Sequence, residues 1–146
     1  MLTTAELERA SKGGLDTPRP LIEVFPNRFP DDLYVHEIVV QEYSSVCPKT
    51  GMPDYGTIRI RYVAAGFCLE LKSLKLYFYS FRDRGIFYEN LINIVVKDLV
   101  AACAPHYLEV QIVMTPRGGV HSRLTKCFIG SESVAQRLES IRGALS

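Results

Sequence analysis

Thr57-Ile58-Arg59-Ile60-Arg61-Tyr62-Val63 alternates apolar and charged or polar side chains at a period of two, the pattern of a strand with one buried and one wet face. From Leu71 the period changes. Leu71, Leu74, Phe78 and Phe81 recur at helical spacing until Arg82-Asp83-Arg84-Gly85 breaks the pattern. A longer helix is predicted from about Phe87 to near Pro105, with Leu91, Ile92, Val95, Val96, Leu99, Val100 and Cys103 on its apolar side. Working outward, a strand covers about Tyr34 to Glu42. Two more cover Tyr107 to Thr115 and Val120 to Ile129, joined by the turn Pro116-Arg117-Gly118-Gly119. The order β-β-α-α-β-β predicts an α+β domain: an antiparallel four-stranded sheet with two helices on one face. A last helix is expected from about Ser131 to Ala144, with Ser131 or Ser133 to cap it and Glu132 in its first turn.

Residues 1–32 read as a lead-in to a single domain over residues 33–146. A short polar helix, Thr4 to Ser11, stops at Lys12-Gly13-Gly14, and four prolines from Pro18 to Pro30 keep the rest extended over the domain. With 146 residues, there is room for one core but not for separate cofactor and substrate domains. A net charge of +1 gives no global pull toward nucleic acid or an anionic membrane, so anion binding must come from local clusters. No apolar run is long enough to span a bilayer, and Met1 to Arg9 lacks the pattern of a secretory signal. A cytoplasmic protein is the expectation. The four cysteines, Cys47, Cys68, Cys103 and Cys127, show neither CxxC nor zinc-ligand spacing, and free thiols fit a reducing compartment. No metal is expected, and His36, His106 and His121 have no metal-ligand spacing.

Cys47 differs from the other cysteines. Cys103 lies on an apolar helix face, the usual place for a small buried thiol. Cys47 sits in the polar loop Ser44-Ser45-Val46-Cys47-Pro48-Lys49-Thr50, where a nearby cation can favour the nucleophilic thiolate. Asp54 follows a Gly51-Met52-Pro53 turn; it is either a turn residue or a proton carrier for that thiol. Lys72, Lys75, Tyr79 and Arg82 share one helix face, which is either solvated or a seat for phosphates. Arg117-Gly118-Gly119 puts an arginine beside residues that let a ligand approach the backbone. No GxGxxG follows a strand, so a Rossmann-type cofactor site is not supported. Glu70 and Glu89 stand near helix starts, where they complement the dipole or, if buried, accept a paired N–H edge from a purine-like ring. Phe87 and Tyr88 either stack on such a ring or pack in the core.

Three motifs converge on one family. The loop Ser45-Val46-Cys47-Pro48-Lys49-Thr50-Gly51-Met52-Pro53-Asp54-Tyr55, the run Glu70-Leu71-Lys72-Ser73-Leu74-Lys75-Leu76-Tyr77 and the turn Thr115-Pro116-Arg117-Gly118-Gly119 resemble those of the NADPH-dependent 7-cyano-7-deazaguanine reductases, the nitrile reductases of queuosine biosynthesis. The resemblance spans roughly Tyr43 to Val120. It implies the tunnelling fold, assembled into a barrel through oligomerisation, such as two stacked pentamers, with sites between subunits. It implies Cys47 as covalent nucleophile, Asp54 as general acid and Glu89 as anchor of the deazaguanine base. Leu69, Glu70 and Leu71 would line the substrate pocket beside Tyr88, and Lys72, Lys75, Arg117 and Gly118 would hold NADPH. The substrate implied is a small molecule, with no direct contact to nucleic acid or membrane.

The family usually carries Phe-His-Glu where this chain has Phe87-Tyr88-Glu89. A tyrosine can stack and donate a hydrogen bond, but it carries no positive charge near neutral pH. The alternatives are a relative that transfers an amidino group through the same thioimide, and a deazapurine-binding module without catalysis. A GTP cyclohydrolase-like activity lacks its zinc-binding Cys and His set. The intact Glu70–Tyr77 run speaks against the amidinotransferase, which has no use for NADPH.

Overall fold

The central strand does not stop at Thr57. In the computed structural model, which describes residues 1–145 and the side chains through Glu139, β3 runs Pro53–Val63. It pairs antiparallel with β2 (His36–Val46) on one side and β5 (Tyr107–Arg117) on the other, and β5 pairs in turn with β6 (Val120–Ile129). Between these halves lie α2 (Leu71–Tyr79) and α3 (Tyr88–Cys103). The expected β-β-α-α-β-β core is present, in the sheet order β2-β3-β5-β6. Ser146, the last residue of the expected domain, lies outside the described residues.

The pleat sorts the side chains. Ile58, Ile60 and Tyr62 of β3 and Leu108, Val110, Ile112 and Met114 of β5 point to one face and are buried. They pack with Leu74, Tyr77 and Phe78 of α2 and with Leu91, Val95 and Leu99 of α3. Arg59 and Arg61 take the opposite face, where both reach Glu37, at 2.9 and 3.5 Å. A final helix, α4 (Glu132–Leu145), packs Val134 and Leu138 against Val63 and Tyr107 at one end of that second face.

The start of α2 and the end of α3 are explained by local chemistry. Glu70 caps α2, accepting from the N–H groups of Lys72 and Ser73 at 2.8 and 2.7 Å. At its far end α3 stops where Ala104 takes a left-handed conformation, φ 43°, just before Pro105.

The lead-in carries more structure than the prolines suggest. α1 (Thr4–Ser11) forms as predicted, closed by a capping box between Thr3 and Glu6. Val24–Pro26 then forms β1, which pairs with a short β4 (Phe67–Leu69) in a separate two-stranded ribbon. The ribbon was not legible because each strand is too short to show a period. Between α1 and β1 the chain straps the helices together. Arg19 grips Asp98 of α3 with two nitrogens, at 2.5 and 3.0 Å, and Tyr77 of α2 donates to the same carboxylate at 2.6 Å. Arg84 donates to the carbonyl of Pro18 at 2.9 Å, and the N–H of Glu23 donates to Ser73 Oγ at 2.8 Å.

Gly56 lies between Tyr43 and Met114 in the sheet. A Cβ there would meet Met114 Sδ at 2.7 Å and the Val113 carbonyl oxygen at 2.8 Å. Since that oxygen belongs to a paired backbone, it cannot swing aside. Gly56→Ala is expected to destabilise the fold by about 1–3 kcal/mol, the usual range for overpacking. Urea denaturation of parent and variant, compared at equal slope, measures it.

Candidate active site

The site is built where β2 passes into β3. The N–H of Cys47 donates to the carbonyl of Met52 at 2.8 Å, and that of Gly51 donates to the carbonyl of Cys47 at 2.9 Å. Such a closed turn needs one left-handed residue, and Gly51 supplies it at φ 71° with nothing near its Cα. The strand before the cysteine is clamped from the other side. Val46 donates to the carbonyl of Arg84 at 3.0 Å and accepts from Ile86 at 3.1 Å. The thiol therefore projects from a fixed backbone and is half-buried.

Burial pushes the Cys47 thiol up, but the Thr50 hydroxyl and the N–H groups of Thr50 and Lys49 donate toward the sulfur and leave it below its ordinary pKa. The Thr50 oxygen is itself oriented, accepting from the N–H of Met52 at 3.2 Å. Lys49 contributes through its backbone, rather than through the side-chain charge read from the sequence. The turn favours thiolate, the form that attacks carbon.

Asp54 was expected in a loop and is instead the second residue of β3, directly opposite Ser45. The pleat that buries Ile58 and Ile60 turns it inward, to 5% exposure. A buried carboxylate needs partners. Arg117 supplies one, with Nη2 3.5 Å from Asp54 Oδ1. Tyr88 supplies another, its hydroxyl directed at the same carboxylate. Burial first, then this hydrogen bond and the carboxylate's charge, push the Tyr88 hydroxyl up to about 12, while Arg117 pulls the other way and Cys47 adds to the rise. Cys47, Asp54, Tyr88 and Arg117 thus form one electrostatic unit drawn from a turn, a strand, a helix start and a hairpin.

The arginine and the tyrosine take places that the sequence did not assign. Arg117 was grouped with the lysines of α2; here its nearest partner is the buried carboxylate. Tyr88 was a stacking or core residue; here its hydroxyl also serves Asp54. Gly118 and Gly119 make the hairpin beyond Arg117 with φ 56° and 76°, so the turn reverses without a side chain over the arginine.

The other candidates fall on α2 and its flanks. Glu70 is occupied in part by its own helix cap. Leu69 is buried and its N–H donates to the Tyr62 hydroxyl at 2.9 Å, whereas Leu71 is exposed at the helix start. Glu89 is exposed in the first turn of α3. Lys72 and Lys75 are exposed, and neither forms an ion pair among the described residues, although Glu70 lies near Lys72. A groove of about 410 Å³ opens between α2 and the outer edge of β2, lined by Leu71, Lys75, Phe78 and Tyr79 against Ile38 to Tyr43. Tyr43 links the two regions, since it lines the groove and also faces Asp54 and Tyr88. Among the described residues, no helix is long and apolar enough to cross a membrane.

The family model described as "QueF-like protein" matches residues 53–132. A relative from Chlorobaculum tepidum, an NADPH-dependent 7-cyano-7-deazaguanine reductase, is 48% identical over 78% of this chain and 97% of its own length. One of the same name from Pelodictyon phaeoclathratiforme is 54% identical over 70% of this chain and 88% of its own. A crystal structure of the apo archaeosine synthase QueF-Like superposes with a TM-score of 0.58 at 24% identity, over 68% of this chain and 94% of that one, a likeness of fold. Fold, motifs and relatives agree: the chain belongs to the QueF-like family, which holds the 7-cyano-7-deazaguanine reductases.

Proposed function

We infer that this protein is an NADPH-dependent oxidoreductase that reduces the nitrile 7-cyano-7-deazaguanine to the primary amine 7-aminomethyl-7-deazaguanine, a step toward queuosine in tRNA. The observation that carries the reading is the juxtaposition of a thiol held below its usual pKa with a buried, partnered carboxylate. Relatives carrying that activity in their names match this chain at about half of all aligned positions.

A nitrile carbon is electrophilic, and the Cys47 thiolate adds to it. Asp54 gives a proton to the nitrile nitrogen, so a neutral thioimide forms. When bound, NADPH supplies the hydride for each of two reductions. After the first, the nitrogen lone pair expels the Cys47 sulfur and leaves an imine. Asp54, reprotonated, can again serve the nitrogen. After the second, the amine is released. The walls around Cys47 must exclude water, which would hydrolyse the imine.

The residues of α2 fit a nicotinamide nucleotide. Lys72 and Lys75 offer exposed positive charge, and Leu71 and Tyr79 offer exposed apolar surface beside it. Lys72 and Lys75, with Gly118 at the hairpin, would hold NADPH, and Arg117 would divide its charge between cofactor and Asp54. Leu69, Glu70, Leu71, Tyr88 and Glu89 would enclose the deazaguanine, Glu89 meeting its paired N–H edge. These residues are drawn from β4, α2, α3 and the β5–β6 hairpin, an arrangement that suits a site completed by a neighbouring subunit. The outer edges of β2 and β6 have no partner strand among the described residues and could extend the sheet into a barrel. We place residues 33–146 as the reductase domain behind a lead-in of residues 1–32, working in the cytoplasm, where its free thiols stay reduced.

Incubating the protein with the nitrile and no NADPH should add one substrate mass per chain at Cys47. An adduct that survives in Cys47→Ala places the nucleophile elsewhere. With NADPH present, oxidation of the cofactor should depend on the nitrile, the result that separates a reductase from an amidinotransferase.

Lys72→Ala or Lys75→Ala should raise the KM for NADPH by roughly tenfold, the loss of one charge-assisted contact, with adduct formation at Cys47 unchanged. Unaltered KM values would make the row a solvated helix face.

Tyr88 keeps its proton throughout the neutral range, because its pKa is pushed up to about 12. Tyr88→His should therefore add an inflection near about pH 6.5 to the kcat profile and raise the rate by about tenfold or less. A parent without turnover beside an active Tyr88→His would make this chain a switched-off relative.

A further inference from the structure

Behind Asp54, on the core side of β2, two buried hydroxyls lack a hydrogen-bond partner among the described residues: Ser45 Oγ and Tyr43 Oη. Ser45 is wholly inaccessible and Tyr43 is 1% exposed. Leaving such oxygens unbonded costs stability, and a core without a use for them would hold Ala and Phe instead. Packing alone does not account for this pair.

Their placement does. Ser45 is the cross-strand partner of Asp54. Side chains so paired stand on the same face, with Cβ atoms about 5 Å apart. Tyr43 is two residues back on the same strand face, its ring fixed against Phe81 with centroids 6.1 Å apart. The Tyr43 and Ser45 hydroxyls approach one another without the alignment of a full hydrogen bond, and burial keeps Tyr43 protonated. Other elements supply further neighbours of the carboxylate. Arg117 of β5 lies at Oδ1, the Tyr88 hydroxyl reaches it from α3, and Cys47 lies at the turn. Arg84 faces Tyr43 from the loop that clamps β2.

We propose that Ser45 and Tyr43 are positioning residues for Asp54, with Ser45 donating to the carboxylate from the core side and Tyr43 donating to Ser45. A serine reaches this arrangement by rotating its hydroxyl between staggered wells, with no change of backbone. Ser45 is wholly inaccessible, so it does not recognise substrate. Their effect is to keep the carboxylate turned toward Cys47. The inference rests on the reading of Asp54 as the proton carrier of nitrile reduction.

The test uses the full chain. With the nitrile present and NADPH absent, the rate of adduct formation at Cys47 is followed by mass spectrometry. Ser45→Ala removes a donor to the carboxylate, so adduct formation should slow roughly tenfold, and Ser45→Thr should restore it. In turnover, Ser45→Ala should lower kcat roughly tenfold or more with the KM for the nitrile little changed. A folded Ser45→Ala that forms the adduct at the parental rate overturns the proposal. Where Ser45→Ala does not fold, Tyr43→Phe, which keeps the ring against Phe81, reads the same rate under the same criterion. Failure of the reductase reading looks different: no nitrile-dependent NADPH oxidation by the parent, whatever the adduct rates do.

Discussion

The pleat of β3 is the constraint on which both core and site depend. Asp54, Gly56, Ile58, Ile60 and Tyr62 all fall on the buried face. The register that seats the isoleucines under the helices therefore also drives a carboxylate into the interior. A slip of one residue would expose the isoleucines and bury Arg59 and Arg61. Because the core cannot tolerate that, the position of Asp54 is enforced by apolar burial far from any chemistry.

Burying the carboxylate has a cost, and the surrounding elements offset it from several directions. Arg117 comes from the β5–β6 hairpin and Tyr88 from the start of α3, each carried by an element anchored elsewhere in the core. Arginine stabilises charge, while tyrosine donates a hydrogen bond without bringing a charge. That difference bears on the reaction. An imidazole in place of Tyr88 takes up and loses a proton near neutral pH, whereas this phenol holds its proton and meets Asp54 as a hydrogen-bond donor only.

Cys47 is positioned by a different means, through backbone hydrogen bonds braced by the Thr50 hydroxyl. The turn closes on itself through Met52 and Gly51, and the strand before it is clamped by the 84–86 backbone. Arg84 then ties that clamp to the lead-in at Pro18. Arg19 fastens the same lead-in to α2 and α3 through Asp98. The proline-rich segment is thus mechanically continuous with the Cys47 turn.

Periodicity alone determined the strand and helix order, because a half-buried element must repeat its apolar residues at its own period. The motifs around Cys47, Glu70 and Arg117 were enough to mark the family, since turn glycines and a thiol beside a carboxylate leave local signatures. The β1–β4 ribbon was hidden because strands this short have no period to read. Nor did the sequence assign Arg117 and Tyr88 to Asp54, for all three are far apart in the chain and meet only when β3, β5 and α3 pack. Ser45 and Tyr43 escaped for a related reason: a serine in a polar loop looks solvated until the β2–β3 register turns it inward. Local sequence marked Cys47 and Asp54 as candidates, while tertiary packing decided what surrounds them, because electrostatic partners are set by distance through space and not along the chain.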